Sequence, residues 1–244
     1  MSLSRRSVRD LNGRADSGPL PERVASTNVV LVDDAERDSF LAAARIAAEL
    51  ARRPEVAVRW RDESACAGMS VGGLAHHLVG QVGNTVKLMG AGPSTERPIP
   101  LLQHYERATW VNAGPDDDVN VGIREGSDAD AAGGPAVLAA HVEDLLTQLP
   151  AVLDARADDD AVLIPWQGWS LTAHDWLVTR KMEIVVHADD LAASIDVPTP
   201  EFPDDVLIPV LDLLARVAVR RHGQAAVVRA LSRPQRSPAS ISAF

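Results

Sequence analysis

The segment Trp176–Leu191 constrains this chain more than any other. Trp176, Leu177, Val178, Met182, Ile184, Val185, Val186 and Leu191 make a helix apolar on nearly every side, and such a helix is buried. Yet Arg180, Glu183, His187 and Asp190 stand in the same stretch at three- and four-residue steps. That spacing puts them on roughly one face. Buried charge is costly unless it is paired or bound to a metal. A core Arg180–Glu183 ion pair beside a hydrogen-bonded histidine would meet that requirement. So would a metal site, and the choice needs a second segment.

That segment is Met69–Met89. Ser70 is a suitable N-cap for it, and Ser70, Leu74, His77, Gln81 and Asn84 recur along one side. Gly72, Gly73 and Gly80 cost helix propensity but allow close packing. His76 and His77 are adjacent, so they point about 100° apart on a helix and only one can face a given site. We favour His77.

Around these two segments the pattern is helical throughout. A first helix is expected over Asp34–Arg53, capped by Asp33 or Asp34 and closed by Pro54. The stretch from Gly90 to Gly134 reads as loop-rich, with one short helix near Leu101–Val111 that carries His104, Tyr105 and Trp110. The run Asp116–Asp118 reads as a solvated helix start. A long helix over Pro135–Ala155 contains Pro150, which predicts a kink or break. Ser170 or Thr172 caps the organising helix, which ends near Ser194. A last pair covers Asp204–Arg221 and Gln224–Leu231, followed by an irregular tail whose Phe244 is a candidate anchor. No convincing strand or repeat is found. The expected fold is therefore all-α, an antiparallel four-helix bundle with extra C-terminal helices. Residues 1–27 read as a flexible leader, 28–200 as the bundle, and 201–244 as a helical extension packed on it.

Bundles build metal sites in their cores from facing helices. His77, Glu183 and His187 supply two imidazoles and a carboxylate, the three-ligand set of catalytic rather than structural zinc. Arg180, Asp190, Gln81 and Asn84 are the candidates to support that set. We assign Arg180 and Asp190 a catalytic role and Gln81 and Asn84 a cofactor-binding role.

The net charge of -10 and the lack of a basic block argue against a nucleic-acid or membrane partner. Cys66 is the single cysteine, which excludes an internal disulfide and suits a reducing, cytoplasmic setting. It has no neighbour in sequence that would make it a reactive thiol.

Ser-Val-Gly-Gly-Leu-Ala-His-His-Leu at 70–78, with Arg180-x-x-Glu183-x-x-x-His187-x-x-Asp190-Leu191, resembles the DinB/YfiT-like superfamily. Within it the closest resemblance is to the mycothiol-dependent maleylpyruvate isomerase N-terminal, metal-binding domain. Trp60, Ser64, Cys66 and Trp166-x-Gly168 fit the same pattern, and the resemblance spans about residues 34–196. It implies a four-helix bundle holding a divalent metal, zinc foremost with nickel or iron as alternatives, on His77, Glu183 and His187. It also implies mycothiol as co-substrate, in S-transfer to a small electrophile or in isomerisation. The partners would then be a small thiol and an electrophile, and a homodimer is compatible with this. Only residues 201–244 follow Pro200, too few for the separate C-terminal domain of the isomerase. The alternatives to a transferase are a non-catalytic metal-binding stress or regulatory protein, or an isomerase-like enzyme lacking that domain.

Overall fold

The computed structural model describes residues 33–244. The expected leader, 1–27, lies outside them. The described chain is all-α apart from one small hairpin. Helices α1 (Asp34–Ala51), α2 (Pro54–Val58), α3 (Val71–Gly90), α4 (Leu101–Arg107), α5 (Thr109–Asn112), α6 (Asp118–Asp130) and α7 (Pro135–Asp154) precede the hairpin. Strands β1 (Ala161–Ile164) and β2 (Trp169–Thr172) form it, and α8 (Ala173–Ser194), α9 (Asp204–His222) and α10 (Gln224–Ser232) follow.

Four long helices carry the core. α3 packs on α1, α7 and α8, and α1 packs on α7 and α8. Phe40, Leu74, Leu78, Leu138, Leu149, Trp176, Leu177 and Ile184 fill the space between them. The organising segment is α8, and it is buried along most of its length, as its composition requires. α9 packs against α8 and α1, over a second apolar cluster built from Tyr105, Val178, Met182, Val210, Leu213 and Val217. Phe244 reaches this cluster and lies on Tyr105 and Trp110.

Local chemistry sets the element ends. The Thr172 hydroxyl accepts from the Asp175 amide at 3.0 Å and caps α8. Ser70 accepts from Gly73 N at 2.9 Å and caps α3. The other end of α3 is closed from afar. Arg156, 2% exposed, donates from Nε to Met89 O at 2.7 Å and from Nη2 to Leu88 O. These carbonyls lie in the last turn, where the regular intrahelical donors run out. Lys181 is fully buried, and its Nζ sits 2.8 Å from Glu36 Oε1 and 3.0 Å from Ser39 Oγ, joining α8 to α1.

Four expectations need correction. The region between Gly90 and Gly134 is not mainly loop, because α6 gives it 13 helical residues beginning at Asp118. The short helix expected there is two, α4 and α5, divided at the extended Ala108. Of the kink or break expected at Pro150, the break does not occur, and α7 continues through the proline to Asp154. The missing N–H removes a single intrahelical bond, the one to the Leu146 carbonyl one turn earlier. Strands do occur: β1 and β2 pair antiparallel from Ala161↔Thr172 to Ile164↔Trp169. At four residues each they are too short to show a periodicity. Their turn contains Gly168 at φ +78°, a conformation that favours glycine.

Among the described residues, α7 alone has the length and apolar character of a membrane-crossing helix. Its Leu138, Val142, Leu145, Leu149 and Leu153 are core residues, while His141, Glu143 and Asp144 face outward.

Candidate metal centre

α3 and α8 cross so that His77 meets Glu183 and His187. The ligand atoms of all three lie within 4.8 Å of one another. Glu183 Oε2 is 3.2 Å from His187 Nε2 and 4.0 Å from His77 Nε2. The two imidazole rings stand edge to face, 4.7 Å between centroids.

The far sides of the rings are engaged too. His187 Nδ1 is 3.0 Å from Asp190 Oδ2. His77 Nδ1 is 3.4 Å from Ser127 Oγ, whose own proton goes to Ile123 O at 2.8 Å. An oxygen that has spent its proton on a carbonyl can only accept from the ring. Both rings are thereby set to carry hydrogen on Nδ1 and to present Nε2 to Glu183. In a cation-free site the electrostatics run accordingly. Burial pushes the Glu183 carboxyl up, but His187 at 3.2 Å, the nearby His77 ring and the Arg180 charge outweigh it and hold the group well below its ordinary range. Burial pushes His187 down, but bonds with Asp190, Cys66 and Glu183 carry it well above the usual imidazole value. An ionised carboxylate faced by two ring nitrogens is a donor set that suits a divalent cation.

These groups form one wall of a cavity of about 540 Å³. Arg180 is held beside them. Its Nη1 donates to Gln81 Oε1 at 2.5 Å, its Nε donates to Thr179 Oγ1 at 3.1 Å, and its guanidinium lies 4.5 Å over the Trp176 ring. Its Nη2 is 4.0 Å from Glu183 Oε1. Gln81 also donates to His77 O at 2.9 Å, so it ties the arginine to the helix that carries the histidine. Asn84 lines the same cavity without bonding to this group. Asp190 does not line it; it stands behind His187. His76 points elsewhere, edge-on to Trp60.

Two participants have no signal of their own in the sequence, and a third, Cys66, is marked only by the family resemblance. Ser127 comes from α6, 50 residues from His77. Cys66 brings Sγ to 3.3 Å from Asp190 Oδ2, and with Asp190 and His187 it forms a second cluster of metal-ligating type. The loop bearing Cys66 is fixed behind α8, where the Ala65 amide donates to Ser194 Oγ at 2.9 Å and Arg59 bonds Ser194 O and Asp196. His104, from α4, forms part of the cavity wall with Trp110, Trp166 and Ile123.

A family model, the mycothiol maleylpyruvate isomerase N-terminal domain, matches residues 40–192, which include His77, Glu183 and His187. No curated protein matches the chain. Among solved structures it is similar to a histidine-to-alanine mutant of the mycothiol-dependent maleylpyruvate isomerase, at 20% identity and a TM-score of 0.43, over 75% of this chain and 69% of that one. With the family model covering most of the bundle, the chain belongs to the mycothiol maleylpyruvate isomerase N-terminal domain family.

Proposed function

We propose that His77, Glu183 and His187 hold a divalent cation, zinc in the first place, and that the protein transfers the small thiol mycothiol to an electrophile bound in the same cavity. The convergence of the three donors on one cavity wall carries this reading, and membership of a family named for mycothiol chemistry supplies the thiol. A cation in this site would supply Lewis acidity that turns a thiol, ordinarily protonated at neutral pH, into a thiolate.

The chain's own residues do the rest. To act as a ligand, His187 gives up its Nε2 proton while Asp190 keeps the one on Nδ1. Arg180, fixed by Gln81 and Trp176, offers a positive charge to an anionic part of either reactant. Asn84, Asn120 and Gln167 offer amide groups to polar parts of either reactant, and Trp110, Trp166 and Ile123 cover apolar surface of the electrophile. The bundle, described from residue 33 to about 200, thus holds the chemistry, and residues 201–244 serve it as a packed extension. Such a protein works in the cytoplasm on small molecules, apart from nucleic acid and membrane.

The test is conjugation of mycothiol to monochlorobimane by zinc-loaded protein. Wild type should accelerate it well above the spontaneous rate, and His77→Ala should abolish the acceleration. If wild type gives no acceleration, or the variant gives full acceleration, the transferase reading is wrong.

A further inference from the structure

His104 has a place in the cavity that the metal centre does not explain. Its Nδ1 accepts a hydrogen bond of 3.1 Å from Trp169 Nε1. An indole nitrogen can only donate, so Nδ1 carries no proton and the neutral ring must carry its hydrogen on Nε2. Among the described residues nothing bonds to that Nε2. Nor is it sealed from solvent, as the partnerless Nε2 of His76 is. The ring is 4% exposed and forms part of the wall of the cavity that contains Arg180, Glu183 and His187.

The surroundings keep the ring in this state. Burial lowers its proton affinity, the Arg180 charge lowers it further, and Glu183 opposes both, leaving a pKa of about 4. The ring is also held in position. β2 supplies Trp169, Ile99 N bonds Ser170 O at 2.9 Å just before α4, and Tyr105 lies edge-on to His104 at 5.0 Å. Tyr105 rests in turn on Phe244. A rigid, neutral imidazole with a single N–H toward a partly closed cavity is a preorganised donor.

We infer that His104 donates a hydrogen bond from Nε2 to a carbonyl oxygen of the bound electrophile. The oxygen accepts and the proton stays on the ring. When a thiolate adds to a carbon–carbon double bond conjugated with that carbonyl, the C–S bond forms as the π bond breaks, its electron pair moves onto the oxygen, and the His104 bond strengthens until the adduct carbon takes a proton from solvent. Arg180 takes the anionic parts of the reactants and His104 takes the neutral carbonyl. The catalytic part of this role rests on the transferase reading; the donor and its ligand class do not.

The experiment uses the full zinc-loaded chain, labelled with 15N, and the probe N-ethylsuccinimide. This neutral imide offers two carbonyl oxygens and cannot alkylate a thiol. Imidazole 15N spectra at neutral pH should show His104 protonated on Nε2 and bare on Nδ1, and the probe should shift the Nε2 signal. His104→Phe should weaken probe binding by about tenfold, the loss of one hydrogen bond of ordinary strength. His104→Gln, which keeps an N–H donor, should stay within about threefold of wild type. The inference is overturned by hydrogen on Nδ1, by a probe that binds without moving Nε2 or does not bind at all, or by a phenylalanine variant that binds like wild type. If the probe moves Nε2 while wild type fails to conjugate mycothiol, the transferase reading falls and the donor stands.

Discussion

Acidification isolates the His104 ring. Its pKa lies near 6.5 in the unfolded chain and about 4 in the fold. A depressed imidazole pKa contributes stability that is fully present above pH 6.5 and is lost as pH falls toward 4, because the unfolded chain takes up the proton first. Between pH 7.5 and pH 5.0 that loss is about 2 kcal/mol through this ring alone, and about 3 kcal/mol in the limit below pH 4. In the cation-free protein, in which the urea unfolding is run, His187 acts in the opposite direction. Its raised pKa gives stability that is complete below pH 6.5 and declines as pH rises through its folded value. His104→Gln retains an acceptor for Trp169 and removes the titration at position 104, while the His187 contribution remains in both proteins. Urea unfolding of wild type and variant at the two pH values therefore gives the His104 contribution as a difference of differences. The variant should lose about 2 kcal/mol less on acidification. Equal losses would refute the buried neutral ring and the tautomer argument built on it.

Two further outcomes follow from the packing. A Cβ on Gly72 would lie 2.6 Å from Trp60 Cε2, whereas one on Gly80 would meet nothing within 4 Å. Propensity alone favours alanine at both by roughly 1 kcal/mol, but the clash at Gly72 costs about 1–3 kcal/mol. Gly80→Ala should raise the thermal midpoint and Gly72→Ala should lower it, as calorimetry would record. Asp190→Asn leaves the cavity lining unchanged but weakens the support of His187 Nδ1. It should lower zinc affinity by about 10- to 100-fold in chelator competition, and an unchanged affinity would remove Asp190 from the account.

What could be read in the sequence was what periodicity carries. The four-residue step from Glu183 to His187 puts both on one side of α8, and the apolar surroundings of that step require burial. The choice of His77 over His76 follows from the same geometry, because α3 must turn Leu74, Leu78 and Gln81 inward with it. The mixed fate of Gln81 and Asn84 could not be read, since one amide meets Arg180 and the other only lines the cavity. Ser127 carries no mark of participation, Cys66 only that of the family resemblance, and His104 none, for a related reason. Their partners are 50, 124 and 65 residues away, and such pairs are set by how α6, the loop before α3 and the hairpin dock. No local pattern records that docking. Nothing local to α8 explains the burial of Lys181; the position of Glu36 on α1 does.

The central claim is that three side chains from two helices hold one cation. Elemental analysis of purified wild type beside Glu183→Ala tests it most directly. Stoichiometric divalent metal, zinc foremost, is expected in the wild type and almost none in the variant. Equal and negligible metal in both would contradict the claim.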